Sequence, residues 1–210
     1  MSQKAILMSG TDLNAFGGMT SVVSEYKRAN LFLDSNIEYV ATYQAPGLIR
    51  QLQVFFPAMA KLFLRCLSRR VSLMHVHSAS RGSFWRKSVV CAVARVFKVP
   101  YILHLHSGEF SIFYESECGP IRRRWIRKTL REAACVLVLT EQWALTVARI
   151  EPSAVIEIMP NPVPVPLHLP DAATDPSVLF LGRLREKKGV YVLLNADRKS
   201  TRLNSSHVSQ

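Results

Sequence analysis

Short runs of consecutive apolar residues alternate along the chain with longer stretches in which apolar residues return every three or four positions. The runs are KAILMSG (4–10), IEYVATY (37–43), VSLMHVH (71–77), VPYILHLH (99–106), CVLVLT (135–140) and AVIEIMP (154–160). A strand covered on both sides has no polar face to alternate with, so each run predicts a buried strand. The periodic stretches predict helices over 20–33, 48–69, 84–97, 121–134 and 141–150. In the first of them Val22, Val23, Tyr26, Ala29 and Leu33 share one face. Strands and helices in alternation predict an α/β fold, a Rossmann-like doubly wound parallel sheet, over residues 1–159.

The pattern then changes. Six prolines fall between 160 and 176, and closely spaced prolines hold a chain extended and outside helices or central strands. Residues 160–176 therefore read as an interdomain linker. Beyond them, VLFLGRL (178–184) reads as the strand that opens a second Rossmann-like domain, over 177–196. The last residues, DRKSTRLNSSHVSQ (197–210), lack an apolar face and interrupt the helix begun at KGVYVLLNA. The stretch DRKSTRLNSSH resembles one frame of a sequencing-adapter oligonucleotide, so 197–210 is expected to be a non-native tail on a truncated second domain.

Composition narrows the classes. Residues are 49% hydrophobic and 20% charged, the balance of a folded globular protein rather than a disordered one. The formal charge of +12 favours anionic partners: phosphorylated ligands, nucleic acid or acidic lipid. The amino-terminal apolar stretch is too short for a signal peptide. The most apolar window, LIRQLQVFFPAMAKLFLRCL, carries Arg50, Lys61, Arg65 and Pro57, which argues against a membrane span. The four cysteines, 66, 91, 118 and 135, have no CxxC spacing. They read as reduced, buried thiols of a cytoplasmic protein.

Four motifs carry candidate chemistry. Gly17-Gly18, between the first strand and first helix, lets backbone N–H groups approach a ligand beside a helix start, a place suited to a diphosphate. A bare pair is more often a mere turn, and the spacing is not that of a nicotinamide dinucleotide site. HVH (75–77) and HLH (104–106) stand at strand carboxyl ends, each pair on one face. Four imidazoles could hold zinc, but no Asp or Glu accompanies them, so no metal is expected. His75 and His104 read as hydrogen-bonded core residues. His106, followed by the turn SGEF, reads as the functional one. The helix GPIRRRWIRKTLREAA sets Ile121, Trp125 or Ile126, Leu130 and Ala133 or Ala134 on one face. Arg122, Arg123, Arg124, Arg127, Lys128 and Arg131 surround it, either as a solvated face or as a patch for an acidic membrane surface or acceptor. Few aromatics are free to stack on bases, so nucleic acid is not the expected partner. Last, Arg183 and Lys188, spaced as G-R-L-x-x-x-K-G after a strand, supply a planar fork and a mobile cation for phosphate oxygens.

Taken in order, FGGM, HVHSA, YILHLHSGEF, VLVLTEQWA, IMPNPV and VLFLGRLREKKGVYVLL resemble the retaining glycosyltransferases of family 4, over residues 4–196. The resemblance implies the GT-B architecture: an acceptor-side amino-terminal domain, a nucleotide-sugar-binding carboxyl-terminal domain and an active site between them. It implies a transferase that moves a sugar from a nucleotide-diphosphate donor to a glycan or lipid-linked acceptor. Gly17 and Gly18 would contact the donor diphosphate, His106 the transferred sugar, and Arg183 with Lys188 the leaving diphosphate. Asn161 would hold a structural place before the linker. No cofactor or metal is implied, and the family's Glu-x7-Glu motif would lie past residue 196. The expected setting is the cytoplasm, with the inner membrane face as a candidate surface. A sugar-nucleotide epimerase of the same architecture, a basic nucleic-acid-binding protein and a histidine-based metal hydrolase are the alternatives.

Overall fold

A computed structural model describes residues 4–15, 17–44, 46–165, 178, 180–182, 184 and 186–205. The chain divides into two compact units, Met1–Pro164 and Val165–Gln210. In the first unit six strands alternate with helices: β1 (Ala5–Gly10), α1 (Gly18–Arg28), α2 (Leu31–Asp34), β2 (Ile37–Ala41), α3 (Leu48–Leu67) and β3 (Val71–Ser78). Then come α4 (Gly82–Val96), β4 (Tyr101–Leu105), α5 (Phe110–Ser116), α6 (Pro120–Arg131), β5 (Cys135–Val138), α7 (Glu141–Ile150) and β6 (Ile156–Ile158).

The strands form one parallel sheet in the order β2-β1-β3-β4-β5-β6. The chain leaves β1 toward one edge to make β2, then returns past β1 to make the rest. The carboxyl ends of β1 and β3 therefore flank the point where winding reverses, which is where open α/β sheets leave a crevice for a ligand.

The two faces are covered unequally. Leu7, Met74, Val76, Leu103, Leu105, Val136 and Val138 point into the main core with residues of α3, α4, α5, α6 and α7. On the opposite face Met8 packs with Val22, Val23 and Tyr26 of α1 in a smaller cluster. Cys66, Cys91 and Cys118 are buried and Cys135 is half-buried, all as free thiols.

Three details depart from the sequence reading. The first helix ends at Arg28, because Asn30 turns left-handed with φ 60°, a conformation that closes helices. Leu33 consequently sits on the separate α2 and is exposed. α5, with seven residues, is too short to show a period in the sequence. On α6 the buried residues are Ile126, Thr129 and Leu130. Ile121, five positions before Ile126 and so on another side of the helix, is 87% exposed.

In the second unit a short 3-10 turn, Glu186–Lys188, leads into α8 (Val190–Ser205). The expected strand over 178–184 falls partly on residues outside those described; Val178, Phe180, Leu181 and Leu184 are not in a strand. A strand requires a neighbour to take its N–H and C=O groups, and no described residue of this unit is paired in that way. The helix is not interrupted at Asp197 but runs on to Ser205, since DRKSTRLNS contains neither Gly nor Pro and includes strong helix formers.

Candidate functional site

The registers of β3 and β4 place His77 opposite His104. His75, His77, His104 and His106 therefore share one face, the same face as Met8 and α1. They form a stack: His75 lies over His77 with centroids 4.4 Å apart, and His77 over His106 at 5.1 Å. Tyr26 of α1 closes one side at 6.2 Å. His77 and His104 are fully buried.

Two hydrogen bonds cross between the strands. His77 Nδ1 is 2.8 Å from His106 Nε2, and His75 Nε2 is 3.3 Å from His104 Nδ1. Among the described residues nothing meets the Nε2 atoms of His77 and His104. A neutral imidazole carries one hydrogen. Burying it without an acceptor costs more than burying a bare lone pair. His77 thus carries its hydrogen on Nδ1 and donates it to His106, which leaves the His106 hydrogen on its own Nδ1. Burial depresses every member of the stack: His75 and His106 are pushed down to about 4, and His77 lies well below the ordinary value. His104 is likewise pushed down, with the neighbouring histidines adding to burial. All four are neutral at pH 7.

A cavity of about 350 Å³ opens at the carboxyl ends of β1, β3 and β4, and its lining includes Gly17, Gly18, Thr20, Tyr43, His106 and Asn161. Three sites far apart in sequence and singled out from it, Gly17-Gly18, His106 and Asn161, thus meet in one place. Asn161 lines the cavity rather than serving only the linker. Among the described residues nothing demands the glycines: a Cβ on Gly17 or Gly18 would meet no atom of theirs within 4 Å. What their lack of side chains leaves open is the approach to the start of α1. Among the described residues no side chain caps that helix, so its first N–H groups remain available to an anion.

The cavity's frame is held by groups the sequence did not advertise. Lys87 of α4 is buried, and its Nζ donates to Gly10 O at 2.7 Å, Ser9 Oγ at 3.3 Å and Thr42 Oγ1. It thereby ties the end of β1 to the residue after β2. Burial holds its pKa well below the usual lysine range. Gly10 is confined: a Cβ there would overlap the Tyr39 hydroxyl, which donates to Thr11 O. Ser80 Oγ bonds Ser107 Oγ at 2.7 Å, and Arg81 pairs with both Glu109 and Glu117, joining the loops after β3 and β4. Glu109, the acid of the SGE turn, is thus bound to Arg81. Arg86 stands over the Tyr43 ring at 4.6 Å. A buried lysine within a helix carries no periodic signature, so only burial of its neighbours identifies it.

The two cations of the second unit fare differently. Arg183 lies outside the described residues. Lys188 ends the 3-10 turn before Gly189, where φ is 80°, and its side chain is exposed.

On α6 most cations have partners. Arg122 lies over Trp85 at 5.8 Å. Arg123 donates to the carbonyls of Tyr114, at 3.1 Å, and Glu115. Arg127 and Arg131 both face the buried Glu151, at 3.1 and 3.7 Å. Lys128 is 3.9 Å from Glu132. Arg123, Arg124, Arg127 and Arg131 nonetheless line a groove of about 570 Å³ with Tyr114 and Pro120. Of the six, Arg124 makes no ion pair, hydrogen bond or ring contact with the described residues.

As metal ligands, His75, His77 and His104 bring one nitrogen each within 4.8 Å of the others. Neutral imidazoles suit such a role, and bonding His106 through Nδ1 leaves His77 the lone pair of Nε2.

Comparison with known families matches residues 33–162 to the glycosyl transferase 4-like domain. The chain belongs to that family. It is a glycosyltransferase, and its six-stranded parallel sheet is the Rossmann-like domain of the GT-B architecture. A glycosyltransferase takes, in general terms, a nucleotide-sugar donor and an acceptor. A search of curated proteins finds no match. The matched span includes the histidine stack, Lys87 and Asn161 but begins after the glycine turn. In this glycosyltransferase the glycines therefore rest on the cavity they line.

Proposed function

We propose that this glycosyltransferase is a retaining enzyme of cell-surface polysaccharide or glycolipid synthesis. It transfers a sugar from a nucleotide-diphosphate donor to a glycan or lipid-linked acceptor at the cytoplasmic membrane face. Breaking the bond between the anomeric carbon and the diphosphate builds negative charge on the leaving group and positive charge on the sugar ring. Fixed donors aimed at that leaving group lower the barrier without reorganising.

In this reading the amides of Gly17 and Gly18, with the positive end of α1, receive the donor diphosphate. His106, neutral and with its hydrogen on Nδ1, faces the transferred sugar. Arg183 and Lys188, from the second Rossmann-like domain, neutralise the departing diphosphate in place of a divalent metal. The acceptor's anionic part meets the α6 patch of Arg122, Arg123, Arg124, Arg127 and Lys128.

The observation that carries the reading is the single cavity where Gly17, Gly18 and His106 meet at the strand-order reversal. Calorimetric titration of the chain with pyrophosphate, the part of every donor that the glycine amides would meet, in the presence of EDTA, tests it. Binding that weakens at least tenfold in Gly17→Val, with an unchanged melting curve, is expected. Failure of pyrophosphate to bind, or binding only with added divalent metal, would overturn it.

A further inference from the structure

α3 has two apolar stripes where a helix on a sheet needs one. Ala58, Leu62 and Cys66 face the core. Ile49, Leu52, Phe56, Ala60, Phe63 and Leu67 follow one another at three- and four-residue spacing on the opposite side, and all six are exposed. Phe56 is 62% and Leu64 61% accessible, in a helix of 20 residues. Phe63 stacks edge-on against Phe97 at 4.9 Å. Between α3 and α4 lies an apolar hollow of about 480 Å³ lined by Phe56, Met59, Ala60, Phe63, Leu64 and Val93. Val89 and Val96 of α4 extend the same exposed apolar surface. Contiguous apolar surface of this kind marks a binding face rather than scattered exposure.

Charge selects the occupant. Neither α3 nor α4 contains an Asp or Glu. Arg50 is exposed near one end of the stripe, and Arg69 and Arg70 at the other. Along the flank Lys61 and Arg65 share one carboxylate, Glu38, so the flank stays positive. A second copy docked by two-fold symmetry would set these cations against each other. An anionic bilayer complements both the stripe and its flank. Among the described residues no helix is long and apolar enough to cross a membrane, so α3 is suited to lie in the interface.

We propose that the outward stripe of α3, with Val89 and Val96 of α4, is the surface by which this glycosyltransferase docks on anionic lipid. It deepens the lipid-linked acceptor reading above, yet its test is a binding measurement that does not require sugar transfer. Purified chain is floated with vesicles of phosphatidylglycerol and phosphatidylcholine, or of phosphatidylcholine alone. The wild type is expected to partition at least tenfold more onto the anionic vesicles, with the difference shrinking at high salt. Phe56→Glu combined with Leu64→Glu, both at exposed positions, should lower partitioning at least tenfold with an unchanged melting curve. Leu33→Glu, the same charge change at a side chain 82% exposed on α2, should lower it less than twofold. Absence of wild-type flotation, or equal losses in both variants, would overturn the proposal. So would sedimentation showing a vesicle-free dimer that the α3 variant dissolves.

Discussion

His77 Nδ1 stands 2.8 Å from His106 Nε2, while the other ring nitrogen of His77 has no partner among the described residues. A residue buried behind the cavity therefore sets which nitrogen of the cavity-facing imidazole carries the hydrogen. Such outer partners fix tautomer and ring orientation elsewhere in the same way. His77 acts here as a positioning residue.

Replacing His77 by Phe keeps the space filled and removes the lock. Long-range ¹H–¹⁵N spectra should show His106 as a single Nδ1–H tautomer in the wild type and as a mixture in His77→Phe. An unchanged tautomer in the variant would show that His77 does not direct it.

The stack also makes stability depend on pH. His75 and His106 have folded values of about 4, below the ordinary 6.5. The unfolded chain therefore binds more protons over that interval, and stability rises with pH across it. The contribution is complete above about 6.5 and is lost as pH falls toward 4, with a slope of about 1.4 kcal/mol per pH unit for each proton taken up. Urea titrations at pH 7, 6, 5 and 4 should show a falling midpoint, and His75→Gln should flatten the decline. A midpoint constant over this range would contradict the neutral stack.

Glycines on the two sides of the first loop should respond oppositely. Gly10→Ala places a methyl against Tyr39, with Cζ at 3.1 Å, and overpacking of this kind costs roughly 1–3 kcal/mol. Gly18→Ala meets open space at the start of a helix and should leave the melting temperature unchanged or slightly higher. Equal losses in the two variants would show that the glycine turn is required by the fold rather than kept open for a ligand.

Lys87→Ala removes a buried stem and the donor to Gly10 O and Ser9 Oγ, so a loss of about 2–4 kcal/mol is expected. Lys87→Met fills the space without a charge to desolvate and should recover at least half of that loss. Chemical denaturation of the three proteins decides; Met no better than Ala would mean that the ammonium's hydrogen bonds, not the packing, hold the strand ends.

Reversing single charges on α6 separates structural cations from available ones. Arg127→Glu sets a second carboxylate against the buried Glu151, whose pKa is lowered by the Ser153 hydroxyl and by Arg127 and Arg131. Its melting temperature should fall by about 5 °C. Arg124→Glu has no such partner and should melt as the wild type. Equal melting of both variants would mark the Arg127–Glu151 pair as inconsequential.

The largely apolar runs of β1, β3, β4 and β5 determined the parallel sheet by themselves, because a strand covered on both sides has no regular polar alternation. The Gly17-Gly18 turn and the HLH strand end were equally legible, since glycine freedom and strand alternation are properties of adjacent residues. α1 stops short of Leu33 because Asn30 turns left-handed, which leaves no mark in hydrophobic periodicity. Ile121 leaves the buried face of α6 because it stands five positions from Ile126. What only tertiary structure decided was the company residues keep. The β3–β4 register brought His77 to His106, the reversal of strand order brought Gly17 to Asn161, and the packing of α4 buried Lys87 under Gly10. On α3 the sequence showed ample apolar residues, but which of two stripes met the core was a matter of how the helix lay on the sheet. Local pattern fixes periodicity; contacts between distant residues depend on how the elements pack, which no local window contains.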